Sequence, residues 1–163
     1  MRKVLLFGIT LSALTSSASA DAPKLINAFG AYALDANVAN ISLLKDCGAR
    51  SADKDDTSYV CPDGLEYVVY DGAITAISYD FTKPSQKGGV LGIQSGDNEA
   101  AVVAKIAKRY GVALHKSRIE NWNVYSTEMI KVASCGQKCA LAFVFDKDGF
   151  IRKISKQPET PYI

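Results

Sequence analysis

The chain is poor in the residues that most often carry chemistry. Among 163 residues there is one histidine, His115, one tryptophan, Trp122, and two methionines. A lone histidine confines imidazole chemistry to one place, and no G-x-S-x-G nucleophile elbow accompanies it. Charge of one sign is also missing, since 19 Lys+Arg stand against 17 Asp+Glu. No basic stripe forms of the kind that neutralises phosphates, so nucleic acid is not an expected partner. An anionic membrane surface is disfavoured on the same ground. No apolar run reaches the roughly 20 residues that a spanning helix needs, which argues against stable membrane insertion.

What is present starts with an export signal. Arg2 and Lys3 form a positive n-region, Val4 to Leu14 an apolar run, and Ala18-Ser19-Ala20 a small-x-small cleavage pattern. We expect a signal peptide over residues 1–20 and a mature chain over 21–163, exported to the periplasm or secreted. Removing Arg2 and Lys3 leaves 17 cations against 17 anions, so the formal +2 belongs to the leader. The mature length suits one domain with a real core.

In an oxidising compartment the four cysteines read first as disulfides. Three pairings are possible, and the local one, Cys47 with Cys61 and Cys135 with Cys139, suits the turn signals around them. A four-thiolate zinc site normally uses two C-x2-C pairs, whereas the spacings here are C-x13-C and C-x3-C. A redox pair is normally C-x-x-C at a helix N-terminus, and Cys135 and Cys139 are flanked by strand-like runs instead.

Two segments show helical period. In the first, Asp35 is the expected N-cap, Val38, Ile41 and Leu44 recur at helical spacing, and Gly48 is the stop. In the second, Asp97 or Ser95 caps, Glu99 lies in the electropositive first turn, and Val103, Ile106, Ala107 and Tyr110 form an apolar stripe. Lys108 and Arg109 occupy its last turn and Gly111 ends it. After each helix comes a run rich in β-branched and aromatic residues with two turns, and hence three strands. Pro62-Asp63-Gly64 matches Gly136-Gln137-Lys138 as the first turn. Asp71-Gly72 matches Asp146-Lys147-Asp148-Gly149 as the second. The closing strands agree at Ile74 and Ile77 against Ile151 and Ile154. The expected fold is therefore α+β: two repeats of one helix plus a three-stranded antiparallel meander, at about 30–83 and 92–157, forming one domain.

Gly92, Ile93, Gly96, Asp97 and Val102 spell a phrase, G-I/M-x-x-G-(D/M/S)-x-x-x-x-V, that opens a helix in two related families. Through it the chain resembles the β-lactamase-inhibitory-protein-like tandem-repeat fold and the SmpA/OmlA outer-membrane lipoprotein domain. It departs from the lipoprotein branch in having no lipobox cysteine. The resemblance implies an exported, non-catalytic protein that grips another protein with a sheet surface.

Few residues suggest a site. His115, Arg118, Trp122 and Tyr125 lie within one segment and are types that anchor binding hot spots, so they form the candidate binding surface. The competing reading is a small secreted or periplasmic hydrolase. It would use His115 or a carboxylate pair drawn from Asp53, Asp55 and Asp56 or from Glu120 and Glu128. A calcium loop at Asp146 to Gly149 would need oxygen ligands where Val144 and Ser155 stand. Gly88-Gly89 and Gly92 lack the lysine of a phosphate loop. No metal or cofactor is expected, and the expected partner is another protein. N-terminal sequencing of the exported protein is expected to begin at Asp21, and a mature chain still starting at Met1 would contradict the leader.

Overall fold

The computed structural model describes residues 21–30, 32–37, 42–51, 56–83 and 88–159. The expected leader lies outside them. In chain order the elements are α1 (Ala22–Asn27), a 3-10 turn (Ser42–Asp46), β1 (Gly48–Ser51), β2 (Asp56–Val60), β3 (Glu66–Tyr70) and β4 (Ala73–Asp80). Then come α2 (Glu99–Tyr110), β5 (His115–Ile119), β6 (Trp122–Ser126), β7 (Ile130–Lys131), β8 (Lys138–Phe145) and β9 (Ile151–Pro158). The strands build one antiparallel sheet in the order β1-β2-β3-β4-β9-β8-β6-β5, with β7 pairing β8 off this path.

Turn chemistry explains the hairpins. Asp71 and Gly72 both take left-handed backbone, with φ of 46° and 75°. That is what a type I′ turn requires, and its twist matches the strands it joins, so β3 folds directly back on β4. Strands β4 and β9 each carry one extra residue. Val68 pairs with Ala76 and Val69 with Ile74, which leaves Thr75 unpaired; Val144 pairs with Lys153 and Phe145 with Ile151, which leaves Arg152 unpaired. These bulges explain why Ile74 and Ile77, and Ile151 and Ile154, share the buried face at a spacing of three.

Both helices cover that face. Leu25 and Ile26 of α1 and Val102, Ile106 and Tyr110 of α2 join one core with Tyr67, Ile77, Tyr79, Leu141, Phe143 and Ile154. Helix α2 is capped by Asn98, whose side chain accepts from the Ala101 N–H, and it ends at Gly111 with φ 65°. Asp97, one of the expected caps, instead accepts from the Gln94 N–H and the Lys105 ammonium. Ile106 and Tyr110 of the expected stripe are buried, while Val102 takes the place of the half-buried Val103 and Ala107 is exposed.

Several expectations need correction. Asp35 has φ 65°, which no N-cap adopts, and Gly48 opens β1 where a helix stop was expected. Only Ser42–Asp46 of that segment is helical among the described residues, as a 3-10 turn; Leu44 packs into the core, and Val38 and Ile41 lie outside the described residues. Helix α1 and strands β1, β5 and β7 carry no clear sequence period, being six, four, five and two residues long. Each half therefore contributes four strands to the sheet path, one more than the turns alone suggest.

The structure joins Cys47 to Cys61 and Cys135 to Cys139. Cys47 and Cys61 directly flank the Gly48–Val60 pair, so their bridge closes the outer end of the β1–β2 ladder. Cys139 lies inside β8, and Cys135 lies in the turn after β7, so the bridge ties that turn to the sheet. The closed loops separate their cysteines by 14 and 4 residues. Chain-entropy scaling then assigns about 3 kcal/mol to the first and about 2 kcal/mol to the second. Urea denaturation of Cys47→Ala/Cys61→Ala and of Cys135→Ala/Cys139→Ala is expected to return losses in that order. A larger loss at the shorter loop would refute it.

Candidate functional site

The β5–β6 hairpin carries all four residues of the expected binding surface but does not gather them. The alternation of a strand sends His115 and Trp122 to the face away from the helices, and Arg118 and Tyr125 to the helix side. Tyr125 is half-buried against Phe145, with ring centroids 5.5 Å apart, and its hydroxyl donates to Glu99. His115 is exposed on the edge strand, its Nε2 3.7 Å from a Glu128 carboxylate oxygen, beyond hydrogen-bond reach. The whole length of the five-residue strand β6 separates Glu120 from Glu128, about 16 Å at ~3.3 Å per residue. Paired glycosidase carboxyls stand about 5 to 9.5 Å apart. Asp53 and Asp55 lie outside the described residues, and Asp56 opens β2.

The face away from the helices carries an opening of its own. Across its end, successive strands place Val124, Val144, Lys153 and Asp80 side by side. Beside this row, Trp122 and the turn at 146–149 raise the walls of a cleft of about 780 Å3. Ligand sites usually occupy about 300–1,000 Å3, so the cleft falls within that range. Trp122 is 42% exposed and its cross-strand neighbour Ile119 is 59% exposed.

The polar groups of the cleft are held firmly. The Asp80 carboxylate accepts from both the N–H and the hydroxyl of Thr82, at 2.9 and 2.6 Å. Asp146 accepts from the N–H groups of Asp148 and Phe150 and binds the Arg152 guanidinium through two nitrogens. The Phe150 N–H, working against burial, and then the Arg152 guanidinium hold the Asp146 carboxyl below its ordinary value. Asp80, Asp146 and Asp148 are matched by Lys147, Arg152 and Lys153, so these charges sum to zero.

On the helix side, Glu99 docks α2 onto the hairpin. Its carboxylate receives Lys116 Nζ at 2.9 Å, the Tyr125 hydroxyl at 2.8 Å and the Asn123 amide at 2.6 Å. Burial alone would raise this carboxyl, but the three hydrogen bonds outweigh it and hold it below the usual range. The stronger departure is Lys156, 1% exposed on the inner face of β9 between Ile77 and Leu141. Its ammonium reaches one hydroxyl, Ser134 Oγ at 3.4 Å, and burial pushes it down to about 8. The sequence does hold a signal for it, since Lys156 stands two residues from Ile154 and so on the same face of the strand. Among the described residues no group of three or more His, Cys, Asp or Glu is placed to hold a metal ion. No protein-family model, curated protein or solved structure matches this chain.

Lys156 makes stability depend on pH with a definite sign. Between its folded value near 8 and the ordinary 10.5, the unfolded chain binds more protons than the folded one. Stability from this residue therefore rises with pH across that window, and the buried charge costs up to about 3 kcal/mol at pH 7. Lys156→Met keeps the apolar stem and removes the charge. We expect it to be more stable at pH 7 and to lose the rise between pH 8 and 10, both read by urea denaturation. A variant less stable than the parent would show that the ammonium has a compensating partner.

Proposed function

We propose that the protein is an exported, non-catalytic binding protein that docks another protein on the helix-free face of its sheet. The carrying observation is the apolar pair Ile119 and Trp122 at the tip of the β5–β6 hairpin. Both are large, both are well exposed, and both point to the face that α1 and α2 leave uncovered. A partner of the inhibitor-target, immunity or envelope-assembly kind is the reading most in keeping with an exported scaffold that spends its cysteines on staples. Two disulfides are typical of exported proteins, and no described helix is long and apolar enough to cross a membrane.

The same reading includes an internal duplication, as in the tandem-repeat fold that the Gly92 to Val102 phrase resembles. Strand register supports it. Ile77 pairs with Lys156 and Tyr79 with Ile154, so Ser78 opposite Ser155 marks a local two-fold axis. The bulges at Thr75 and Arg152, and the pairs Tyr59–Tyr67 and Tyr125–Phe143, repeat about that axis. The motif itself has a conformational basis: Gly92 and Gly96 have φ of 81° and 89°, while Ile93 and Val102 are fully buried.

The test is capture from an envelope extract by the immobilised mature chain, beside Ile119→Asp with an unchanged melting temperature. We expect a protein retained by the parent and reduced at least about tenfold by the variant, the size of a 1.4 kcal/mol loss. Equal capture by both, or none by either, would refute docking at the hairpin tip.

A further inference from the structure

We propose that the cleft beside Trp122 is a saccharide site, taking a neutral sugar unit whose ring lies against the indole. This goes beyond the docking of a protein, because it assigns a small ligand to the space past Trp122, while Ile119 lies on the neighbouring strand.

The chemistry of the walls selects the ligand. An exposed indole offers a flat apolar face with a polar N–H at its edge, suited to a partner that is apolar on one side and wet on the other. A pyranose has that character, with C–H groups on one face and hydroxyls around its rim. The cleft meets such a rim with both kinds of group. Asp80 and Asp148 accept, Arg152 and Lys153 donate, and Thr82 and Asn121 do either. Hydroxyls need acceptors and donors together, whereas a phosphate or carboxylate ligand would want donors alone. The balance of three aspartates against three cations leaves no net charge to draw an anion or a cation. Val144 supplies an apolar patch of the cleft floor.

The groups are also preorganised. Thr82 orients Asp80, and Asp146 orients Arg152, so little side-chain freedom remains to be lost on binding. Asp80 and Lys153 sit opposite one another in the β4–β9 register and share the rigidity of the central sheet. Sites carried on strands hold their geometry better than sites on loops.

Trp122 is the only tryptophan in the chain, so its fluorescence reports on this cleft alone. The mature protein is titrated with neutral di- and trisaccharides of glucose, mannose, galactose and N-acetylglucosamine, with glucose 6-phosphate as the charged control. We expect a saturable change in emission with at least one neutral sugar at a Kd of about 1 mM or tighter, and weaker binding of the phosphate. Calorimetry with the same sugar should show at least about tenfold loss in Asp80→Asn, where one of the two acceptor oxygens becomes a donor. Trp122→Ala should abolish binding and Trp122→Phe should restore part of it. Ile119→Asp should leave sugar binding intact while removing protein capture, so the two readings fail separately. No saturable response to any neutral sugar up to about 50 mM, fifty times the weakest expected Kd, would overturn the assignment. Preference for the phosphate, or sugar binding that survives Trp122→Ala, would overturn it as well.

Discussion

The pairing of β4 with β9 is the contact on which the rest of the molecule depends. Four registered pairs, from Ile77–Lys156 to Asp80–Lys153, join two meanders that are otherwise separate along the chain. Each meander by itself has one apolar face and too little cover to bury it. Joined, they present one continuous inner surface, on which Ile77, Tyr79, Phe143 and Ile154 meet under α1 and α2. The closure is non-local, so its entropy must be met before the core rewards it. The two disulfides act elsewhere, at the β1–β2 end and at the β7–β8 turn.

That junction also creates the two features that set this sheet apart from a plain scaffold. On the outer face it sets Asp80 beside Lys153, so the cleft floor combines residues from both halves. On the inner face it sets Lys156 against Ile77, which buries an ammonium with Ser134 as its hydrogen-bond acceptor. A buried charge of this kind lowers stability without shaping the fold, and its retention is of interest for that reason. The proposed duplication sharpens the contrast, since Tyr79 occupies the place in the first half that Lys156 takes in the second.

Most of the strands could be read from residue order. The Asp71-Gly72 turn, the alternation through β3, and the Gly111 stop of α2 are local signals whose physics is complete within a few residues. Strands β1 and β5 could not be read this way. The sequence His115-Lys-Ser-Arg-Ile has no apolar alternation, because every one of its residues is exposed at the sheet edge. It is a strand only because β6 offers it a ladder. The candidate surface was legible only in part: Trp122 does line the cleft, but the strand pleat sends Arg118 and Tyr125 to the opposite face.

Composition and short-range pattern thus determined the α+β class, the hairpin turns and the second helix with its Gly111 stop, and favoured the local disulfide pairing, because each rests on neighbours in the chain. Tertiary structure alone decided the order of the strands, the burial of Lys156 and the meeting of Trp122 with Asp80 and Lys153. Those depend on which strand edges find each other, and edge pairing is made from backbone groups that every residue but proline carries alike. Side chains choose between the possible pairings only through the packing that follows, as Ile77 and Ile154 do here once the two halves close on one core.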